Sequence, residues 1–172
     1  MKCLNIEIKA RCDNADFIRS VLLENKAEFK GVDTQTDTYF NAQNGRLKLR
    51  SGNIENALIH YVRKNQAGPK ASEVTLFRTD KSGELRILLS GALGVKVEVK
   101  KKREIYFIGN VKFHIDKVSK LGSFVEIEAI ANSGKIKKEA LLRQCCYYLK
   151  LFKIPKKNML TESYSDMLLK VI

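Results

Sequence analysis

At 172 residues, 44% of them hydrophobic, the chain is long enough to bury one core and short for two, so a single domain spanning 1–172 is expected. A formal net charge of +13 calls for an electropositive surface or cavity, which attracts nucleic acid, nucleotides, polyphosphates or anionic membrane. No apolar run approaches membrane-spanning length, and the opening residues enter an alternating strand rather than a signal-peptide core, so a cytoplasmic protein without membrane contact is expected.

Residues 2–12 alternate and read as a strand, with Asn5, Glu7 and Lys9 on one face and Leu4, Ile6 and Ile8 on the other. Asp13 or Asn14 can cap a helix to about residue 29, its apolar side made by Phe17, Val21, Leu22 and Ala27. Residues 34–40 and 45–50 read as a hairpin joined by the turn 41–44. Further strands follow at 57–64 and 73–78, separated by a loop over 65–72 that contains Gly68 and Pro69. Over 82–93 the spacing of Leu85, Leu88, Leu89 and Ala92 predicts a helix packed on a sheet, stopped by Gly94. Strands resume at 95–108, 111–118 and 124–131. Ser133 can then cap a long helix to about 152, and Thr161 a short last one through 169. Cys3, Cys12, Cys145 and Cys146 fit neither a disulfide framework nor paired CxxC spacing and read as reduced thiols.

Eight strands joined mostly by short turns favour an antiparallel sheet over a doubly wound parallel one. Arg46, Lys48 and Arg50 share one face of their strand, with Leu47 and Leu49 on the other; such close like charges repel unless an anion lies among them. An ordinary solvated sheet face would account for that strand alone. However, Glu7 with Lys9 and Arg11, Lys101 with Arg103, and Glu126 with Glu128 repeat the arrangement elsewhere. The helices carry apolar stripes that need a partner, so the apolar strand faces belong outside, under the helices, and the charges line a lumen. The expected architecture is α+β: an eight-stranded antiparallel β-barrel with helices packed on the outside. Within 95–108, Lys101 and Arg103 share a face with Val95, Val97, Val99 and Ile105, so that strand either changes character midway or contains a bulge.

Four blocks in this order resemble the CYTH superfamily of triphosphate tunnel metalloenzymes, in particular its class IV adenylyl cyclase (CyaB-like) branch. They are Asn5-Ile6-Glu7-Ile8-Lys9-Ala10, matching an ExExK strand; Asp37-Thr38-Tyr39-Phe40 leading to Gly45-Arg46-Leu47-Lys48-Leu49-Arg50; Lys101-Lys102-Arg103-Glu104-Ile105-Tyr106; and His114-Ile115-Asp116-Lys117-Val118 through Leu121-Gly122-Ser123-Phe124-Val125-Glu126-Ile127-Glu128. The resemblance implies a triphosphate tunnel using Mg²⁺ or Mn²⁺. By position, Glu7, Glu126, Glu128 and Asp116 would be metal ligands, with Asp116 alternatively orienting the attacking group. Lys9, Arg46, Lys48, Arg50, Arg63, Lys101 and Arg103 would clamp phosphates, and Lys9 and Asp116 would be catalytic.

The departure is Asn5, where the family strand carries its first glutamate; an amide offers an oxygen without charge. The implied activity is conversion of ATP to cyclic AMP and pyrophosphate. The alternatives are a tripolyphosphatase or thiamine triphosphatase, and a non-catalytic triphosphate- or polyphosphate-binding protein. Nucleic acid is disfavoured as a partner because paired carboxylates on the charged faces would repel its backbone. The family also suggests a homodimer. His60 and His114 read as hydrogen-bonded strand residues, and Lys70 and Ser72 as loop residues near the tunnel mouth or in solvent.

Overall fold

The structure, a computed structural model, describes residues 2–62, 65–66, 68–131 and 136–172. Among them eight strands run β1 (Lys2–Arg11), β2 (Glu28–Phe40), β3 (Arg46–Ser51), β4 (Ala57–Val62), β5 (Lys70–Arg78), β6 (Val95–Ile108), β7 (Val111–Val118) and β8 (Gly122–Ile130). The helices are α1 (Ala15–Glu24), α2 (Ser82–Leu93), α3 (Lys138–Leu151) and α4 (Tyr164–Leu168), with a short 3₁₀ turn at Lys156–Asn158. All strand pairs are antiparallel and close into a ring in the order β1-β5-β4-β3-β2-β6-β7-β8. A ring has no unpaired edge, which removes the usual route to strand-mediated aggregation.

Alternation decides which side of each strand meets water or core. Ile6, Ile8 and Ala10 of β1, Phe113 and Ile115 of β7, and Val125 and Ile127 of β8 point outward, where Ile18, Val21 and Leu22 of α1 and Leu141 and Cys145 of α3 bury them. The main core therefore lies outside the ring, as the helical stripes required. Phe113 anchors it with an edge-on contact to Tyr148 at 4.7 Å between ring centres. Each such fully buried aliphatic or aromatic side chain is worth about 1.5–3 kcal/mol.

Asn14 caps α1 by accepting from the Phe17 amide at 3.0 Å, and the helix ends at Glu24, five residues short of the expected stop. The chain enters β2 at Glu28, well before residue 34. At the β2–β3 turn Gly45 sits at φ +67°, and a Cβ there would lie 2.7 Å from the Tyr61 carbonyl, so only glycine fits. Gly94 stops α2 as expected, but α2 is not a packed stripe: none of its residues is buried, and Ile87 and Leu88 are 78% and 62% exposed. It lies against β2 and β3 and is pinned at its end, where Asn41 donates to the Leu93 carbonyl at 3.2 Å. Ser133, the expected cap of α3, lies outside the described residues. Ser163, rather than Thr161, caps α4 through a reciprocal box with Asp166. Lys70 and Ser72 are buried strand residues of β5, not loop residues.

Strand β6 changes character without a bulge between its valines and its bases. Its pairing with β2 is regular from Val97 to Ile105, so Val97, Val99, Lys101 and Arg103 all face the lumen. The valine end is apolar because α4 enters there: Tyr164 and Leu168 pack with Val97, Val99, Val118 and Phe124 in a second core at that end of the ring. Helix α4 thus closes the ring's end rather than joining the outer layer.

Candidate functional site

The strand register brings charged positions from β1, β2, β3, β6, β7 and β8 onto the inner wall of the ring. On β1 and β8, Lys9 stands opposite Glu126 and Glu7 opposite Glu128. On β6 and β7, Arg103 stands opposite Asp116, and on β2 and β3, Asp37 stands opposite Arg50. These groups form two ion-pair knots.

The first knot centres on Asp37. Its carboxylate accepts from Arg50 Nε at 2.9 Å and Nη2 at 3.1 Å, from Lys48 Nζ at 2.9 Å and from Lys101 Nζ at 2.6 Å. Burial by itself would raise the Asp37 carboxyl, but Arg50, Lys101 and Lys48 hold it well below the usual carboxylate range. Lys101 is pulled down to about 7, first by burial and then by Arg50, Arg103 and Lys48, against the attraction of Asp37. Three cations therefore converge on one carboxylate, which fills the role an anionic ligand would otherwise have.

The second knot joins Glu126 and Asp116 through Arg103. Arg103 donates to Asp116 at 2.7 Å and 2.5 Å and to Glu126 at 2.8 Å. Lys9 pairs with Glu126, and His114 Nδ1 lies 3.0 Å from Glu126 Oε2. Desolvation, reinforced by Arg103 and Lys112, lowers His114 to about 3, so the imidazole is neutral with Nδ1–H donating to Glu126. Its Nε2 is buried without a protein hydrogen bond. Both carboxylates are held below their usual range, burial being outweighed by Arg103 and, for Glu126, by Lys9. Burying an ion costs several kcal/mol even after relaxation, so these knots persist only because nearly every charge has a partner.

Helix α4 seals one end of the lumen with polar as well as apolar contacts. Tyr164 donates its hydroxyl to Asp116 at 2.8 Å, and Lys9 Nζ sits 3.4 Å from the centre of its ring. Arg46 Nη2 pairs with Asp166 at 2.8 Å, and Lys70 Nζ donates to the Leu160 and Thr161 carbonyls at 2.7 and 3.0 Å. The opposite end carries Asn5, Glu128, Lys112 and Glu55, with the Glu55 side chain 27% exposed.

For a divalent cation the candidate donors are Glu7, Glu128 and Asn5, neighbours on β1 and β8. Glu7 and Glu128 oppose each other, Asn5 Nδ2 donates to Glu128 Oε1 at 2.5 Å, and Asn5 Oδ1 is buried without a protein hydrogen bond. Two carboxylates and an amide oxygen are a hard donor set suited to Mg²⁺ or Mn²⁺. Glu126 and Asp116 spend their oxygens on Lys9, Arg103, His114 and Tyr164. Among the described residues no three acidic, histidine or cysteine side chains converge as a ready cage.

Of the residues singled out in the sequence, Lys9, Arg46, Lys48, Arg50, Lys101, Arg103, Glu7, Glu126, Glu128 and Asp116 all reach the inner wall; Arg63 lies outside the described residues. Sequence reasoning missed Asp33, Gln35, Glu55, Lys112 and Tyr164. The period-two run Asp33, Gln35, Asp37 was a readable signal for the first two. His60 is the hydrogen-bonded strand residue expected, 2.9 Å from the Asn44 carbonyl.

The CYTH domain family model matches residues 4–164. No curated protein matches the sequence. Among solved structures the chain is similar to the PH1012 protein of Pyrococcus horikoshii OT3, at 23% identity and a TM-score of 0.79, covering 94% of this chain and 98% of that one. It is also similar to a candidate adenylate cyclase of Vibrio parahaemolyticus, at 20% identity and a TM-score of 0.78, covering 96% and 98% of the two chains. A Hippeastrum candidate adenylyl cyclase described with a dominant triphosphatase activity matches at 16% identity and a TM-score of 0.60, covering 96% and 94%. At these identities the likeness is one of fold.

Proposed function

The chain belongs to the CYTH domain family, and on that premise we propose that its lumen binds ATP with one divalent cation and converts it to cyclic AMP and pyrophosphate. The observation that carries this reading is the convergence of Lys48, Arg50 and Lys101 on Asp37 inside a closed ring. Cations in that geometry are prepaid for a polyanion: a phosphate chain offers the same charge and hydrogen-bond acceptors and can take over from the internal carboxylates.

In this reading Lys48, Arg50 and Lys101 hold the phosphates, with Lys9 and Arg103 deeper in the lumen. Glu126 and Asp116 orient Lys9 and Arg103, and Asp116, kept ionised by Arg103, is better suited to orienting a nucleophile than to accepting its proton. A divalent cation held by Glu7, Glu128 and Asn5 Oδ1 would supply charge neutralisation and polarisation of a phosphoryl oxygen. The ribose 3′-hydroxyl attacks the α-phosphorus, its proton passing to solvent water, and the bond from the α-phosphorus to the bridging oxygen breaks as pyrophosphate leaves. Catalysis is mainly positioning and electrostatics, which needs no covalent side-chain chemistry. The V. parahaemolyticus likeness supports the cyclase reading.

A second reading, hydrolysis of inorganic tripolyphosphate or thiamine triphosphate, is favoured by the Hippeastrum likeness. The same wall would serve, with water attacking the terminal phosphorus. Incubating the protein with ATP, tripolyphosphate and thiamine triphosphate, each with Mg²⁺ or Mn²⁺, and separating products by chromatography distinguishes the readings. Cyclic AMP with pyrophosphate is the expected result. Orthophosphate alone selects the hydrolase, and binding without turnover overturns both in favour of a triphosphate-binding protein.

A further inference from the structure

Glu55 is an acid of the β3–β4 loop that reaches into the wall of the ring. It accepts from Arg50 Nη1 at 2.8 Å and pairs with Lys112, which projects inward from β7. Gln35 Nε2 adds a third contact at 3.3 Å. Although partly exposed to solvent, this carboxyl is held far below its usual range: burial opposes ionisation, and Arg50 and Lys112 overcome it.

The loop that presents Glu55 is built to hold it there. Asp33, fully buried on β2, accepts from the Ile54 and Glu55 backbone amides at 3.0 and 2.9 Å and from Gln35 Nε2 at 2.6 Å. Gly52 passes so close that a Cβ there would lie 2.5 Å from an Asp33 oxygen. The backbone is thus held by Asp33, while the Glu55 side chain itself is 27% exposed to solvent. Gln35 Oε1 is buried without a protein hydrogen bond.

We propose that Arg50, Lys112 and Gln35 form an additional phosphoryl subsite at the Glu55 end of the lumen, and that Glu55 occupies it as an internal competitor which a bound phosphate displaces. This rests on the reading of the lumen as a triphosphate site and adds a specificity element to it. Arg50 already serves the Asp37 knot, so the subsite continues the phosphate track outward by one group. A guanidinium and an ammonium presented together suit a phosphoryl group better than one carboxylate, because a phosphate brings more acceptor oxygens and more charge. The competing carboxylate sets a threshold: a ligand long enough to reach past the Asp37 knot gains the subsite only if it outbids Glu55.

The test is titration calorimetry of tripolyphosphate into the full chain in EDTA, with wild type, Glu55→Gln, Lys112→Gln and the double variant, each checked for folding by circular dichroism. Glu55→Gln is expected to tighten binding about tenfold, Lys112→Gln to weaken it about tenfold, and the Glu55→Gln gain to vanish in the Lys112→Gln background. Wild-type binding with no gain in Glu55→Gln, or a gain that persists in the double variant, overturns the subsite while leaving the triphosphate reading intact. Should Glu55→Gln fail to fold, Lys112→Gln decides alone, and wild-type affinity in that variant overturns the proposal. Absence of tripolyphosphate binding by every folded variant overturns both.

Discussion

Asn5 donates its side-chain amide to Glu128 Oε1 at 2.5 Å, so this inward position of β1 is tied to an acid of β8 rather than repelling it. A glutamate in that place would add a third carboxylate beside Glu7 and Glu128. Asn5→Glu is therefore expected to lower stability in EDTA by about 3 kcal/mol, the scale of an uncompensated buried charge. It should also tighten Mn²⁺ binding about tenfold, since charge count sets cation affinity. Urea denaturation and Mn²⁺ electron paramagnetic resonance measure the two effects. Unchanged values in both would remove Asn5 from the cation site.

Glu126 meets Lys9, Arg103 and His114 at once, so its charge compensates two buried cations. Glu126→Gln leaves Lys9 without its anion and Arg103 with Asp116 alone. The expected loss is about 3–5 kcal/mol in denaturant unfolding, together with loss of turnover. An unchanged unfolding midpoint would contradict the ion-pair knot, whatever the effect on activity.

The pH dependence of stability should carry the signature of His114. Its pKa falls from 6.5 to about 3 on folding, chiefly by desolvation, so below 6.5 the unfolded chain binds a proton that the folded chain does not. The contribution of His114 is therefore full above 6.5 and declines as pH drops toward 3, by about 1.4 kcal/mol per pH unit for one proton. Glu55, Glu104 and Glu126, all lowered from 4.5, and Asp37, lowered from 3.8, begin to add their own losses within about one pH unit above those values. Between about pH 6.5 and 5.5 the slope belongs to His114, and His114→Gln should flatten it in urea melts collected across that window. A slope of the same size in the variant would place the proton elsewhere.

The ring was legible because alternation is a short-range code: Glu7 and Lys9, or Lys48 and Arg50, declare their face two residues at a time, and the stripes of α1 and α3 declare which face they cover. Tyr164 was not legible, because a five-residue helix carries too little periodicity to show what it packs against, and its hydroxyl contact with Asp116 spans 48 positions. Glu55 sits in a loop without period, and only the fold brings it to Lys112. Leu88 misled for the converse reason. Its spacing fits a packed helix, but no residue of α2 is buried, and the helix is tied at its end by Asn41 donating to the Leu93 carbonyl. The valines of β6 were ambiguous because an apolar end in a charged lumen needs a plug, and the plug comes from the far end of the chain.

Lys101 supplies the remaining prediction. Buried among Arg50, Arg103 and Lys48, it has a pKa of about 7 in place of 10.5, so above neutral pH its charge is partly lost. A bound polyanion favours the ammonium and must raise that value, so binding of tripolyphosphate at pH 8.5 takes up a proton at Lys101, whereas at pH 6 the site is already charged. Calorimetric titrations in buffers of different ionisation enthalpy report the proton count as a slope. Lys101→Arg keeps a cation that never deprotonates, and the ligand's own ionisation is common to both proteins. The wild type should therefore take up close to one more proton than Lys101→Arg at pH 8.5 and none more at pH 6. Equal counts at both pH values would mean that Asp37, 2.6 Å away, keeps Lys101 charged throughout.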